Sequence, residues 1–227
     1  MKIGILRTGH SPEELTKTLG NYDEMFEQLL DGNDFEFETF SVVDGEFPEG
    51  AGAADGWLIT GSKHGAYEDH AWIPPLEDLI REIHSADKPL IGVCFGHQII
   101  AQAMGGKVQK FEGGWSVGRT EYTLDGKPVA LNAWHQDQVV ELPQKARVAG
   151  SSDFCANAML AYGDSIWTVQ AHPEFPAQFI DGLIRTRGKG VVPDGQLQAA
   201  SAALPQPTDN ANIANHIAQF FKSKARA

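Results

Sequence analysis

Gly92-Val93-Cys94-Phe95-Gly96 carries the strongest chemical signal in the chain. An apolar run, Pro89 to Val93, leads into it, and an apolar-periodic segment from His97 to Met104 leaves it. This is the pattern of a strand–turn–helix elbow, where glycines allow close backbone approach and one side chain is lifted into the open. A thiol at a helix N-terminus faces unpaired N–H groups and the positive end of the dipole, which favours the thiolate. The backbone N–H of Phe95 is well placed to donate to an oxyanion. A lone cysteine usually fills core beneath a helix, but two flanking glycines in this context favour a nucleophile. Cys155, in Asp153-Phe154-Cys155-Ala156, lacks such flanks and reads as a small buried side chain.

A cysteine nucleophile needs a base, and the base needs an orienting group. Of the eight histidines, His172 stands out. It ends the run Ile166 to Ala171 and is followed by Pro173 and Glu174. If extended geometry persists, His172 and Glu174 point to the same side and Pro173 stiffens the link. Glu174 can then accept from one imidazole nitrogen while the other faces the thiol. His97 and His135 could line such a site without reacting, whereas His10, His70, His84 and His216 read as exposed or loop residues. No HExxH, Cys-x-x-Cys or clustered acidic motif suggests a metal, and no Gly-rich phosphate loop calls for a cofactor.

These groups require a scaffold that brings strand ends together. Ile3 to Leu6, Phe35 to Val43, Gly56 to Thr60, Pro89 to Val93 and Ile166 to Ala171 read as strands. Between them, helices are predicted from Pro12 to about Leu30, from Pro74 onward, from His97 to Met104 and from Pro176 to Arg187. Such alternation predicts a three-layer α/β fold with a mostly parallel central sheet. Lys107 to Val140 breaks the pattern and reads as an antiparallel excursion. Residues 1–187 form the expected catalytic domain and 188–208 a linker or loop. Residues 209–227 carry a C-terminal helix that docks on the same domain through Ile213, Ile217, Phe220 and Phe221.

The net charge of −12 arises from 30 acidic and 18 basic residues with no basic run, which argues against a nucleic-acid partner. No apolar stretch approaches the ~18 residues of a membrane span. The opening MKIGILR reads as a strand rather than a signal segment, so a cytoplasmic protein with reduced thiols is expected.

Taken together, Gly92-Val-Cys94-Phe-Gly96-His-Gln98, His172-Pro-Glu174 and the loop Thr60-Gly61-Ser62 resemble class I glutamine amidotransferases of the Cys-His-Glu type. The resemblance spans about residues 1 to 187 and implies a flavodoxin-like catalytic fold. It implies Cys94, His172 and Glu174 as the triad, with Gly61 supplying a second oxyanion donor beside Phe95. Gln98 matches a substrate-holding glutamine. Trp134-His135 opens a segment resembling the one that grips the substrate's α-amino and α-carboxyl groups. The implied reaction is attack of the Cys94 thiolate on the side-chain amide of glutamine, giving a thioester that water hydrolyses to glutamate after ammonia leaves.

Where many relatives have Gly-Gly-Pro, this chain has Thr60-Gly61-Ser62-Lys63-His64-Gly65 followed by Tyr67-Glu68-Asp69. That version resembles standalone relatives, including plant γ-glutamyl peptidases. The first expectation is therefore a glutaminase or amidotransferase whose candidate partner is a separate synthetase subunit. The alternatives are a free-standing γ-glutamyl peptidase acting on small γ-glutamyl compounds and a silent regulatory protein of the same fold.

Overall fold

The structure, a computed structural model, describes residues 1–224. Five short strands build its parallel half: β1 (Lys2–Leu6), the alternating edge strand β2 (Glu36–Phe40), β3 (Gly56–Ile59), β4 (Leu90–Val93) and, from late in the chain, β11 (Ile166–Val169). They lie parallel in the order β2-β1-β3-β4-β11. The sheet continues antiparallel through β10 (Met159–Tyr162), β9 (Ala146–Ser151), β6 (Ser116–Leu124) and β7 (Lys127–His135). The Lys107–Val140 excursion thus lies partly on this sheet. It also forms a separate pair, β5 (Lys107–Lys110) with β8 (Asp137–Glu141).

Period-two alternation sends side chains to both faces, and both faces are covered. Leu6, Trp57, Ile59 and Leu90 pack beneath helices α3 (Ile73–Ser85) and α4 (Phe95–Ala103), meeting Leu76, Ile80, Ile99 and Ile100. Ile3, Ile5, Leu58, Ile91 and Val93 face the opposite layer. There they meet Phe26 of α2 (Tyr22–Leu29) and Ile213, Ile217 and Phe221 of α7 (Asn210–Lys224). This is the expected three-layer α/β fold.

Two helical expectations change. The single helix from Pro12 to about Leu30 is two, α1 (Glu13–Leu19) and α2, because Gly20 turns at φ +83° and Asn21 starts a new helix. The Asn21 side chain and Glu24 form a reciprocal capping box that fixes this restart. The 188–208 segment, expected to be a linker or loop, contains helix α6 (Asp194–Ala203), whose Leu197 and Ala200 are buried. Its Gln- and Ala-rich composition carries little apolar periodicity, yet these residues form helices readily once two apolar side chains find cover. The helix Pro176–Arg187 is α5 (Ala177–Leu183) followed by a wider turn at Ile184–Gly188. Positions 225–227 of the C-terminal segment lie outside the described residues. Among the described residues no helix is long and apolar enough to cross a membrane.

Candidate active site

Cys94 sits between the end of β4 and the start of α4 with φ +53° and ψ −104°, a conformation a cysteine adopts only when its surroundings hold it there. Three backbone bonds do so. The Cys94 N–H donates to Val169 O at 2.8 Å, the Gly96 N–H to Thr60 O at 3.1 Å, and the Gln98 N–H to Cys94 O at 3.1 Å. The flanking glycines have a steric reason. A Cβ at Gly92 would lie 2.6 Å from the Gly96 carbonyl oxygen, and one at Gly96 would overlap the backbone of Ile59. Strand, elbow and helix can therefore close up only with glycine on both sides of Cys94. As the first residue of α4, Phe95 has an N–H with no intrahelical acceptor.

His172 follows β11 as the chain leaves the sheet. Its N–H donates to Asn132 O at 2.8 Å, and its ring stacks on Phe175 with centroids 3.9 Å apart and planes within 4°. Nδ1 lies 2.7 Å from Glu174 Oε1, and both side chains are almost wholly shielded from solvent. Burial alone would drive the imidazole neutral, but the Glu174 carboxylate and, when ionised, the Cys94 thiolate beside it raise its pKa to about 10. Nδ1 is occupied by Glu174, which leaves Nε2 for the thiol.

Gly61 completes the group. A Cβ placed on it would stand 3.0 Å from His172 Cε1 and 3.6 Å from Cys94 Cβ, so its backbone runs directly over both. The Thr8 hydroxyl is within 2.9 Å of Thr60 O and 3.0 Å of Gly61 O, and the Thr8 N–H donates to Thr60 Oγ1 at 3.0 Å. Both threonines are fully buried.

Cys94 opens onto a cleft of about 600 Å³ that Gln98, Trp134 and His135 also line. Gln98 Nε2 donates to Asp137 O (2.9 Å) and Gln170 Oε1 (3.1 Å), so its amide is held in a fixed orientation. His135 is buried, which pushes its pKa down to about 4 and keeps it neutral; Nδ1 is 3.2 Å from Asp137 O and Nε2 has no protein partner. His97 does not reach this cleft. It is wholly buried under α4 with Nδ1 2.8 Å from Thr168 Oγ1, and burial pushes its pKa down to about 3. The structure thus brings Cys94, Phe95, His172, Glu174, Gly61, Gln98, Trp134 and His135 to one place and sets His97 behind it.

Residues 45–181 match the glutamine amidotransferase class-I family profile. The chain belongs to the class I glutamine amidotransferase family. It is 34% identical over 184 residues to gamma-glutamyl peptidase 4 of Arabidopsis thaliana, covering 74% of this chain and 73% of that one. It is also 32% identical over 112 residues to a glutamine-hydrolysing GMP synthase subunit of Methanopyrus kandleri, covering 43% and 57%. Among solved structures, a glutamine amidotransferase from Thermotoga maritima superposes with a TM-score of 0.76 at 19% identity, covering 100% of this chain and 99% of that one.

Three residues around this candidate site carry little signal in the sequence or one that is easily passed over. Thr8 follows β1 in a polar stretch with no periodic or motif signal, and only the fold brings it to Thr60 and Gly61. Asn132 lies in the middle of β7, and its side chain donates to Phe175 O at 2.9 Å. Phe175 has a usable signal: it directly follows His172-Pro173-Glu174, where the next side chain must pack against the imidazole.

Proposed function

We propose that this protein is a cysteine hydrolase of γ-glutamyl bonds, acting on small γ-glutamyl compounds. The observation that carries the reading is the convergence of Gly61, His172 and Glu174 on Cys94, which is held at φ +53° and opens onto a cleft of about 600 Å³. In this reading the Cys94 thiolate attacks the γ-carbonyl carbon. The N–H groups of Gly61 and Phe95 receive the developing oxyanion, a pair whose members are typically worth ~2.7–4 kcal/mol each. His172, charged and paired with Glu174, gives its proton to the departing nitrogen. The neutral imidazole then takes a proton from water as it attacks the thioester, and glutamate leaves with Cys94 restored. Gln98, Trp134 and His135, which line the cleft, hold the glutamyl head.

The choice between glutamine and a larger γ-glutamyl compound turns on the leaving group. The cleft lies within the 300–1,000 Å³ that houses drug-sized ligands, which supports a leaving group larger than ammonia. The similarity to gamma-glutamyl peptidases of Arabidopsis thaliana over about three quarters of the chain supports the same choice. The second reading is a glutaminase that passes ammonia to a separate synthetase, favoured by the similarity to the GMP synthase of Methanopyrus kandleri. Two unpaired cysteines fit a reducing, cytoplasmic setting for either.

Glutamate release from L-glutamine and from a γ-glutamyl dipeptide, measured side by side with Cys94→Ala as control, tests the proposal. Preferential Cys94-dependent turnover of the dipeptide is expected. Preference for glutamine transfers the assignment to the second reading, and equal release by Cys94→Ala removes both.

A further inference from the structure

His64, Glu68 and His70 lie on the loop that runs from Gly61 to α3, and the chemistry of Cys94 does not use them. Glu68 Oε2 is 3.3 Å from His64 Nδ1 and 2.7 Å from His70 Nε2, and the three donor atoms all lie within 4.8 Å of one another. We propose that they form a binding site for a zinc-class divalent ion at the mouth of the cleft.

Two imidazoles and one carboxylate make a His₂Glu donor set, and zinc bonds of ~2.0–2.1 Å place tetrahedral neighbours about 3.4 Å apart. The His64–Glu68 separation already matches that spacing. The shorter Glu68–His70 hydrogen bond must open by about 0.7 Å, and the two imidazole nitrogens, which lie within 4.8 Å, must close toward the same spacing. Imidazole donors select zinc, copper, nickel or cobalt over the oxygen-seeking magnesium and calcium. The ligands are set in place before any ion arrives. The His70 ring lies parallel to the Trp72 indole (centroids 5.8 Å, 11°), and His64 meets the same indole edge-on at 5.9 Å. The His64 N–H donates to the Ser62 hydroxyl, and backbone bonds from Glu68 N to Gly65 O and Ile73 N to His70 O hold the turns between them.

The three side chains remain 23–43% exposed, which leaves an entry path and a fourth position for water or an anion. Each imidazole moves its N–H to the other nitrogen, and the ion replaces the two hydrogen bonds to Glu68. Glu68 lines the cleft, and the Trp72 ring lies 5.4 Å from that of Phe95. An ion here therefore ties down the segment that joins Gly61 to α3.

The site is tested by titrating Zn²⁺ into Cys94→Ala protein, whose missing thiol cannot compete, by calorimetry and by competition with a chromophoric chelator. Co²⁺ in the same protein reports tetrahedral coordination by visible absorption. One ion per chain is expected. Affinity should fall at least about 100-fold in His64→Ala and in His70→Ala, at or beyond the upper end of what outer-shell partners typically cost. Glu68→Gln should weaken binding while leaving the apo melting temperature unchanged, which separates ligand loss from misfolding. Absence of saturable binding, or binding that survives the His64→Ala/His70→Ala double variant, overturns the proposal. No turnover is measured, so the outcome is independent of the hydrolase reading.

Discussion

Glu174 Oε1 lies 2.7 Å from His172 Nδ1, and neither side chain has appreciable contact with solvent. The pair acts as a charge-holding device: the carboxylate keeps an imidazolium stable in a place where burial would otherwise expel its proton. Glu174→Gln preserves shape and removes that charge. On the proposed mechanism it should lower kcat on a γ-glutamyl substrate by about 10⁴, the loss seen when the orienting acid of a triad is neutralised, with KM little changed. Steady-state kinetics of the refolded, spectroscopically native variant decides this. A loss below tenfold would sink the role given to Glu174.

The elbow is legible in the sequence because its two glycines answer to sterics that hold in any strand–turn–helix: Gly92 faces the helix backbone and Gly96 faces Ile59. The central parallel strands β3, β4 and β11 are legible because both of their faces are buried, which leaves short uninterrupted apolar runs such as Leu90–Val93. Helix α6 is not, since only Leu197 and Ala200 mark its buried side in a Gln/Ala-rich stretch. Nor is the meeting of His64, Glu68 and His70. Their spacing follows a looped path held by Trp72 rather than a helix or strand period, so no metal-ligand motif could show it. Thr8 is a third kind of miss, a long-range hydrogen bond whose partner is 52 positions away.

Thr8 gives its own prediction. Its hydroxyl shares one proton between the carbonyls of Thr60 and Gly61, which also accept from the Gly96 N–H and the Thr60 hydroxyl. Thr8→Val keeps the volume and strips this shared hydrogen bond, at a cost of about 0.5–1.5 kcal/mol. Urea unfolding should show that loss at unchanged slope, and Thr8→Ser should recover most of it. A Thr8→Val protein as stable as the parent would mean that the loop is held by other contacts.

The histidines make stability depend on pH in two opposite windows. Burial holds His97 and His135 neutral in the fold, with pKa values of about 3 and about 4, whereas the unfolded chain takes up those protons near ~6.5. The unfolded state therefore binds more protons on the acid side, and stability must fall as pH drops from ~6.5 toward these values. His172 works the other way: raised to about 10, it contributes stability that is complete below ~6.5 and is lost as pH rises through about 10. Urea midpoints across this range should show both slopes. His97→Gln should flatten the acid one, and an unchanged acid slope in that variant would remove His97 as its source.

Gly61 allows the sharpest separation of catalysis from folding. A methyl group added there meets His172 Cε1 at 3.0 Å, His172 Nδ1 at 3.8 Å and Cys94 Cβ at 3.6 Å. Relief can come from a small outward shift of the loop or of the imidazole, and neither exposes core. The melting temperature of Gly61→Ala should therefore stay close to that of the parent. The donor aimed at the oxyanion would be displaced all the same, and loss of one such donor typically costs about 10²–10³ in kcat. A thiol-directed probe should still label Cys94, because the nucleophile itself is untouched. Native folding and labelling with turnover lowered by that factor is the expected combination. Full turnover in Gly61→Ala would mean that the Gly61 N–H does not hold the oxyanion, leaving Phe95 as the only donor of the pair.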